Sequence, residues 1–302
     1  GGHGSETFLQ VVQNSCNPGF VLMGQKLGTE RLYKYVENFG FMEKTGIDLN
    51  GESKGIMFDL DNIGPVEQAT ISFGQGISVT PIQQVTGVSA AINGGYLYTP
   101  YVVKYITEVE TDDIMYENKP KLKRQVISED TSSMVRFALE SVVSSGTGKN
   151  AYIENYRVGG KTGTAQKVSN GAYMVGNYIV SFIGFLPADK PEYVVYVAID
   201  NPKGITQYGG TVSAPVARNI MQSIISIRDI EPSSEVTPRV YTWLDTKYVK
   251  TPNVIGLNKK ETSKVLKGFK IEYSGSGDTV LYQEPKGGLY IKEGSTIKIM
   301  LN

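Results

Sequence analysis

The sequence of 302 residues contains one histidine, His3, and one cysteine, Cys16. With a single histidine, His-based zinc sites, Ser-His-Asp triads and Cys-His pairs are not expected. We therefore predict neither a metal nor another cofactor. One cysteine excludes a disulfide within the chain and leaves the redox compartment open. Acyl-transfer chemistry, if present, must use a base other than histidine.

The chain also lacks net charge and long apolar segments. Thirty Lys and Arg balance thirty Asp and Glu, so no net field favours nucleic acid or an anionic membrane. No apolar run reaches the roughly 20 residues that span a bilayer, and no secretory signal is recognisable. The sequence begins at Gly1 without methionine. We interpret it as a fragment whose upstream part, with any targeting segment, is absent.

Composition is ordinary for a soluble globular protein, with 40% apolar and 20% charged residues. The length allows one large domain and one small domain. A polar segment with two prolines, Glu231 to Pro238, is typical of a linker. We predict a first domain over residues 1–230, a linker over 231–247 and a second domain over 248–302.

Periodicity and capping residues predict a mixed α+β fold. Residues 1–40 are expected to be helical, with one helix that runs to about Leu27 and a second that Thr29 caps. Further helices are expected from Thr80-Pro81, from Ser128 to about Val143, and after Ser213. Residues 41–75 are predicted to be loops. Strands are expected over 101–110 and in a β-meander over 156–200 that turns at Asn170-Gly171, and the last strand alternates Ile297, Ile299 and Leu301.

Two short motifs together supply the polar groups of a serine acyl-transfer site: Ser15-Cys16-Asn17 and Lys161-Thr162-Gly163. Without histidine, a partly desolvated lysine can serve as the base. A serine hydroxyl can relay a proton, a carboxamide can bind a substrate amide, and threonine hydroxyls can hold an anionic group. The candidate catalytic residues are Ser15 and Lys161, and the candidate substrate-binding residues are Asn17, Thr162, Gly163 and Thr164.

Each motif is weak by itself. Lys-Thr-Gly is most often a solvated strand end, and Ser-x-Asn is most often a cap or a turn. A phosphate-binding P-loop would require glycine at position 155, which is Asn155. Cys16 is either a small buried residue or a redox-active thiol that pairs with a cysteine outside this sequence.

Further motifs add to these two: Phe73 to Pro81, Asn93 to Gly95, Gly146 to Lys149 and Gly159 to Ala165. With them, residues 1–230 resemble the transpeptidase domain of class B penicillin-binding proteins. Residues from about Thr251 resemble a PASTA module through Pro252 to Leu257, Gln283 to Pro285 and Gly294 to Ile299. The resemblance implies a penicillin-recognising serine transpeptidase fold, an antiparallel sheet flanked by helices and incomplete at its N-terminus, followed by a small α+β module.

The resemblance implies a D,D-transpeptidase that cross-links peptidoglycan stem peptides and is acylated by β-lactams. It also implies an extracytoplasmic location, an upstream membrane anchor and a membrane glycosyltransferase partner. The order of the two domains is similar to that of sporulation-specific members, which suggests spore cortex synthesis, with division enzymes as close alternatives.

The Ser-x-x-Lys motif that carries the family's nucleophile occurs only at Ser295 to Lys298, in the PASTA-like unit. We therefore expect no nucleophile in this chain, no activity of the chain alone, and an apolar groove beside residues 8–36 and the Lys161 strand. The alternative function is a non-catalytic peptidoglycan-binding or scaffold protein of the cell-wall synthesis machinery. A serine β-lactamase or carboxypeptidase of the same fold is a third possibility, which no segment supports.

Overall fold

The computed structural model describes residues 3–169, 171–240 and 247–302. Two compact units divide the chain, Gly1–Arg239 and Val240–Asn302. Asn170 of the predicted turn and residues 241–246 of the predicted linker lie outside the described residues. Within the described part of the chain, none of the helices has the length and apolar character needed to cross a bilayer.

The first unit combines helices with antiparallel strands. Its helices are α1 (Phe8–Asn14), α2 (Asn17–Leu27), α3 (Thr29–Asn38), α4 (Pro65–Ser72), α5 (Pro81–Ile92), α6 (Glu129–Ser145) and α7 (Gly209–Ile227), with 3₁₀ turns at Leu60–Asn62 and Lys149–Ala151. Its strands are β1 (Tyr96–Thr99), β2 (Tyr105–Thr107), β3 (Ile114–Glu117), β4 (Lys121–Gln125), β5 (Gly159–Ser169), β6 (Ala172–Leu186) and β7 (Tyr193–Asp200). This confirms the predicted α+β class.

Strands β5, β6 and β7 form an antiparallel sheet in the order β5-β6-β7, as the predicted meander requires. Lys161 lies opposite Ile183 in the register. The two glycines before Lys161 are required by close packing. A Cβ at Gly159 would lie 2.2 Å from the Phe185 ring, and one at Gly160 would lie 2.4 Å from the Phe182 ring.

The main core of this unit forms where α7 and the end of α6 cover the sheet. Its fully buried side chains include Val143, Phe182, Leu186 and Met221. Burial of such a side chain contributes about 1.5–3 kcal/mol. This core holds the sheet that contains β5. The position of Lys161 is therefore set by packing that is remote from its own side chain.

The first three helices bury few residues: Val11 in α1, Gly24 in α2 and none in α3. The Thr7 hydroxyl caps α1 by accepting from the Gln10 amide. Apolar side chains in these helices remain exposed, among them Phe8 and Leu22. Thr29 was predicted as the cap of α3 and is instead its first helical residue, because Gly28 takes the cap position.

Three further predictions about elements were wrong. The segment 101–110 is not one strand, because the Asp48 carboxylate accepts from the Val102 and Val103 amides at 2.8 and 2.9 Å and leaves only Tyr105–Thr107 as β2. The region 41–75 contains α4 besides loops. Helix α7 begins at Gly209, before Ser213 rather than after it.

The second unit contains β8 (Tyr248–Lys250), α8 (Lys259–Val265), β9 (Lys270–Ser274), β10 (Val280–Glu284), β11 (Tyr290–Lys292) and β12 (Thr296–Leu301). Strand β12 pairs antiparallel with β10 and parallel with β9, and β8 pairs with β11. Ile297, Ile299 and Leu301 are buried on one face of β12, which confirms the predicted alternation. Helix α8 starts with a capping box between Asn258 and Glu261.

Candidate active site

The Lys161 side chain extends from β5 to the junction of α1 and α2. Its Nζ donates to the Ser15 Oγ at 2.7 Å and to the Thr162 carbonyl oxygen at 3.0 Å. The two motifs are 146 residues apart in the sequence, and folding places the ammonium directly against the serine hydroxyl.

Burial lowers the pKa of Lys161 from its ordinary 10.5 to about 8. The cause is desolvation, which raises the free energy of the charged ammonium relative to the neutral amine. At neutral pH about one Lys161 in ten is then a free amine. Lys161 can therefore both donate a hydrogen bond and accept a proton under physiological conditions.

Ser15 is held in an unusual backbone conformation. Its φ and ψ are 52° and 48°, in the left-handed region that non-glycine residues seldom occupy. Its backbone N–H closes α1 by donating to the Val11 and Val12 carbonyls, and Cys16 then precedes α2 as its cap residue. The turn between the two helices thereby presents the Ser15 hydroxyl to Lys161. Strain of this kind is frequent where a side chain must be positioned for function.

Thr147 connects α1 to the Lys-Thr-Gly strand, although the sequence predicted no role for this residue. Its Oγ1 lies 2.8 Å from the Thr162 Oγ1, and its backbone N–H donates to the Gln13 carbonyl at 2.9 Å. A Cβ at Gly146 would lie 2.3 Å from the same carbonyl oxygen. The loop after α6 thus touches both the end of α1 and the strand of Lys161. The signal that could have identified it was the Gly-Thr-Gly sequence, since close backbone contact requires glycine.

The beginning of α7 closes the other side of β5. The Gly209 N–H donates to the Thr164 Oγ1 at 3.3 Å, and the Asn150 side chain donates to the Gly210 carbonyl at 2.8 Å. A Cβ at Gly209 would lie 2.1 Å from the Ser181 carbonyl oxygen. Only glycine allows this approach, which brings the N-terminal end of a long helix beside an exposed threonine hydroxyl.

The other predicted residues lie along the same two elements. Asn17 is exposed in the first turn of α2, two residues after Ser15. Thr162 and Gly163 are partly buried on β5, and Gly163 lies opposite Ser181 in the register. The arrangement therefore gathers an amine, several hydroxyls and a helix start at one end of β5, which is a combination suited to an anionic acyl substrate.

The Cys16 side chain interacts with Glu6, a residue that precedes α1. Its thiol hydrogen-bonds with the Glu6 carboxylate, and this bond raises the pKa of the thiol. The Glu6 pKa is lowered by hydrogen bonds from Asn14 and Cys16. Nitrogen, oxygen and sulfur donors of His3, Glu6 and Cys16 lie within 4.8 Å of one another.

Comparison with known proteins agrees with this geometry. Residues 1–222 match the family described as penicillin binding protein transpeptidase domain, and residues 249–302 match the PASTA domain. The chain belongs to the penicillin-binding protein transpeptidase family and carries a C-terminal PASTA domain.

Similar proteins refine this assignment. The chain is 54% identical to stage V sporulation protein D of Bacillus subtilis over 301 residues, covering 100% of the chain and 47% of the relative. It is 34% identical to the peptidoglycan D,D-transpeptidase FtsI homolog of Mesostigma viride, covering 74% of the chain and 40% of the relative. The chain therefore spans less than half the length of these two curated relatives.

A solved structure shows the same fold. Penicillin binding protein 3 of Mycobacterium tuberculosis, complexed with ampicillin, superposes with a TM-score of 0.71 at 31% identity, covering 77% of this chain and 53% of that one. The transpeptidase fold predicted from the sequence is thereby confirmed.

Proposed function

We propose that this chain contributes the Ser-x-Asn and Lys-Thr-Gly parts of a peptidoglycan D,D-transpeptidase site that β-lactams acylate. The observation that carries the proposal is the 2.7 Å contact between the Lys161 Nζ and the Ser15 Oγ. Lys161, with its pKa near 8, acts as the base that takes a proton from the Ser15 hydroxyl. Ser15 relays protons between Lys161 and the reacting group. This is the work that histidine performs in other acyl transferases.

Substrate binding is assigned to the remaining groups. The Thr162 and Thr164 hydroxyls hold a substrate carboxylate, assisted by the adjacent start of α7. Asn17 binds a backbone amide of the stem peptide, and Gly163 lets the extended peptide lie close to β5. Thr147 supports this arrangement because its hydroxyl contacts Thr162 directly.

The nucleophile is assigned to a Ser-x-x-Lys segment outside this sequence. The one Ser-x-x-Lys in the chain, Ser295 to Lys298, leads into and occupies β12 of the second unit. The 302-residue polypeptide by itself is then expected to form no covalent penicillin adduct. The test is incubation with a fluorescent penicillin followed by denaturing electrophoresis, alone and together with a separately expressed upstream segment.

The expected result is labelling of the upstream segment only, and only when both pieces are present. Lys161→Met and Ser15→Ala in the second piece should lower the labelling rate by at least about 100-fold. Lys167→Met is the matched control, because Lys167 lies on the same strand and pairs with Asp200 at 2.7 Å. A covalent band at the mass of this polypeptide would refute the assignment. Muropeptide binding without acylation by the longer protein would favour the non-catalytic alternative.

The physiological setting is also a proposal. We infer an extracytoplasmic enzyme, anchored upstream, that works with a membrane glycosyltransferase in spore cortex synthesis. Its support is the 54% identity to a protein named for stage V of sporulation. Deletion of the gene should leave vegetative growth intact and abolish cortex peptidoglycan, as measured by muropeptide analysis of spores. Arrested division with normal cortex would instead assign the division role.

A further inference from the structure

The only histidine and the only cysteine of the sequence meet at the carboxylate of Glu6. The His3 Nδ1 lies 3.5 Å from the Glu6 Oε1, and the donor atoms of His3, Glu6 and Cys16 all lie within 4.8 Å of one another. We propose that these three side chains bind one divalent cation of the zinc class. The inference is independent of the proposed transpeptidase function and concerns a different set of residues.

The donor types fit this cation. Zinc accepts imidazole nitrogen, carboxylate oxygen and thiolate sulfur at about 2.0–2.3 Å in tetrahedral geometry. Ligand atoms around such a centre are about 3.3–3.8 Å apart, and the 3.5 Å between His3 and Glu6 falls in this range. The Cys16 sulfur lies within 4.8 Å of the other two donor atoms. One carboxylate and one thiolate also neutralise the two charges of the cation, and a fourth position remains for water or another ligand.

The surroundings of Glu6 have the character of a prepared site. Its side chain is only 7% exposed, which is uncommon for a carboxylate unless it is paired or coordinates a metal. The Asn14 Nδ2 donates to the Glu6 Oε1 at 2.5 Å and fixes the orientation of the carboxylate. Hydrogen bonds of this type orient metal ligands and raise their affinity. The His3 side chain is 54% exposed, so the cation can enter from solvent.

Binding requires no redox partner. The Cys16 S–H bond breaks, its proton passes to solvent, and the sulfur electron pair forms the metal–sulfur bond as bound water leaves the cation. The carboxylate that now accepts from the thiol is then free to coordinate the cation.

The position of the cluster gives this cation a consequence. Cys16 directly follows Ser15, whose hydroxyl contacts Lys161, and it caps α2. A bound cation would fasten the segment before Thr7, where α1 is capped, to the junction of α1 and α2. Metal loading would therefore stiffen the strained turn that presents Ser15, and it would withdraw the Cys16 thiol from oxidation.

The test uses the untagged 302-residue chain, freed of metal and titrated with Co²⁺. A thiolate-to-cobalt charge-transfer band should develop to a stoichiometry of one and disappear when Zn²⁺ is added. Cys16→Ser should abolish the band, and His3→Ala and Glu6→Gln should each weaken zinc binding by at least about 100-fold. Asn14→Ala, which removes only the orienting group, should weaken it by about 10–100-fold. Glu30→Gln in α3 is the control and should bind like the parent.

A second readout starts from the parent chain, in which no residue is substituted. Zinc should slow the reaction of Cys16 with a thiol reagent in the parent chain in proportion to its occupancy, and this protection should vanish in His3→Ala. Circular dichroism without metal verifies that each variant is folded. The proposal is overturned if no charge-transfer band forms, if zinc leaves thiol reactivity unchanged, or if His3→Ala and Glu6→Gln bind zinc as tightly as the parent.

Discussion

Replacement of Lys161 by methionine should change how the stability of the protein depends on pH. Burial lowers the pKa of the amine from 10.5 to about 8. Each pKa unit corresponds to about 1.4 kcal/mol, so the charged form costs the folded state about 3 kcal/mol. Methionine has a similar length and no charge, so Lys161→Met should remove this cost. The gain in stability is reduced by the loss of the hydrogen bond to the Ser15 Oγ.

The sign follows from proton binding. Between about pH 8 and 10.5 the unfolded chain holds the Lys161 proton while the folded protein has released it, so stability must rise with pH in this interval. Below pH 8 both states are protonated and the full cost remains. The advantage of Lys161→Met over the parent should therefore be largest at pH 7.5 and shrink by about 3 kcal/mol as the pH approaches 10.5.

Equilibrium urea unfolding of parent and variant at four pH values in this interval measures the difference directly. Taking the difference cancels the titration of the other groups, provided that the two unfolding slopes agree. Lys167→Met is the matched control, because it removes an amine from the same strand that pairs with Asp200. A difference between parent and Lys161→Met that stays constant from pH 7.5 to 10.5 would refute the desolvation argument and with it the role of Lys161 as a base.

Three further changes test the packing around the site and in the second unit. Gly160→Ala should cost about 1–3 kcal/mol in urea unfolding, because its Cβ would lie 2.4 Å from the Phe182 ring. Glu140→Gln should cost about 3 kcal/mol, because it leaves Arg157 without the carboxylate that it contacts at 2.7 and 3.0 Å. Gln283→Leu should cost about 2–3 kcal/mol in the second unit, measured by its own unfolding transition, because the buried Gln283 amide satisfies one buried and two partly buried backbone groups.

Each of these changes has a control with a milder expectation. Gly163→Ala should be better tolerated than Gly160→Ala, because its Cβ would meet only the movable Ser181 hydroxyl. Asp189→Asn should have little effect, since this carboxylate is 54% exposed and 3.8 Å from Arg157. Asn258→Ala should cost about 1 kcal/mol through loss of the α8 cap. Equal losses in a change and its control would contradict the packing argument for that pair.

Features that depend on residues close together in the chain could be predicted from the sequence. Ser128 caps α6 as predicted, and α5 starts at Thr80-Pro81 as predicted, because each hydroxyl accepts from an amide only three residues away. The meander over 156–200 followed from β-branched and aromatic residues, and the alternation of Ile297, Ile299 and Leu301 placed one face of β12 in a core. The chemistry of the site could also be predicted, because the two motifs themselves contain the amine, the hydroxyl and the carboxamide.

Features that depend on groups far apart in the chain required the folded structure. The Asp48 carboxylate accepts hydrogen bonds from the Val102 and Val103 amides, and it thereby interrupts a strand that local propensity favours. The low pKa of Lys161 arises from desolvation by surrounding elements, which no motif encodes. The contact of Thr147 with Thr162 and the meeting of His3, Glu6 and Cys16 likewise require the chain to close on itself. Sequence patterns report local backbone preferences, whereas burial and long-range contacts set the electrostatics of a site.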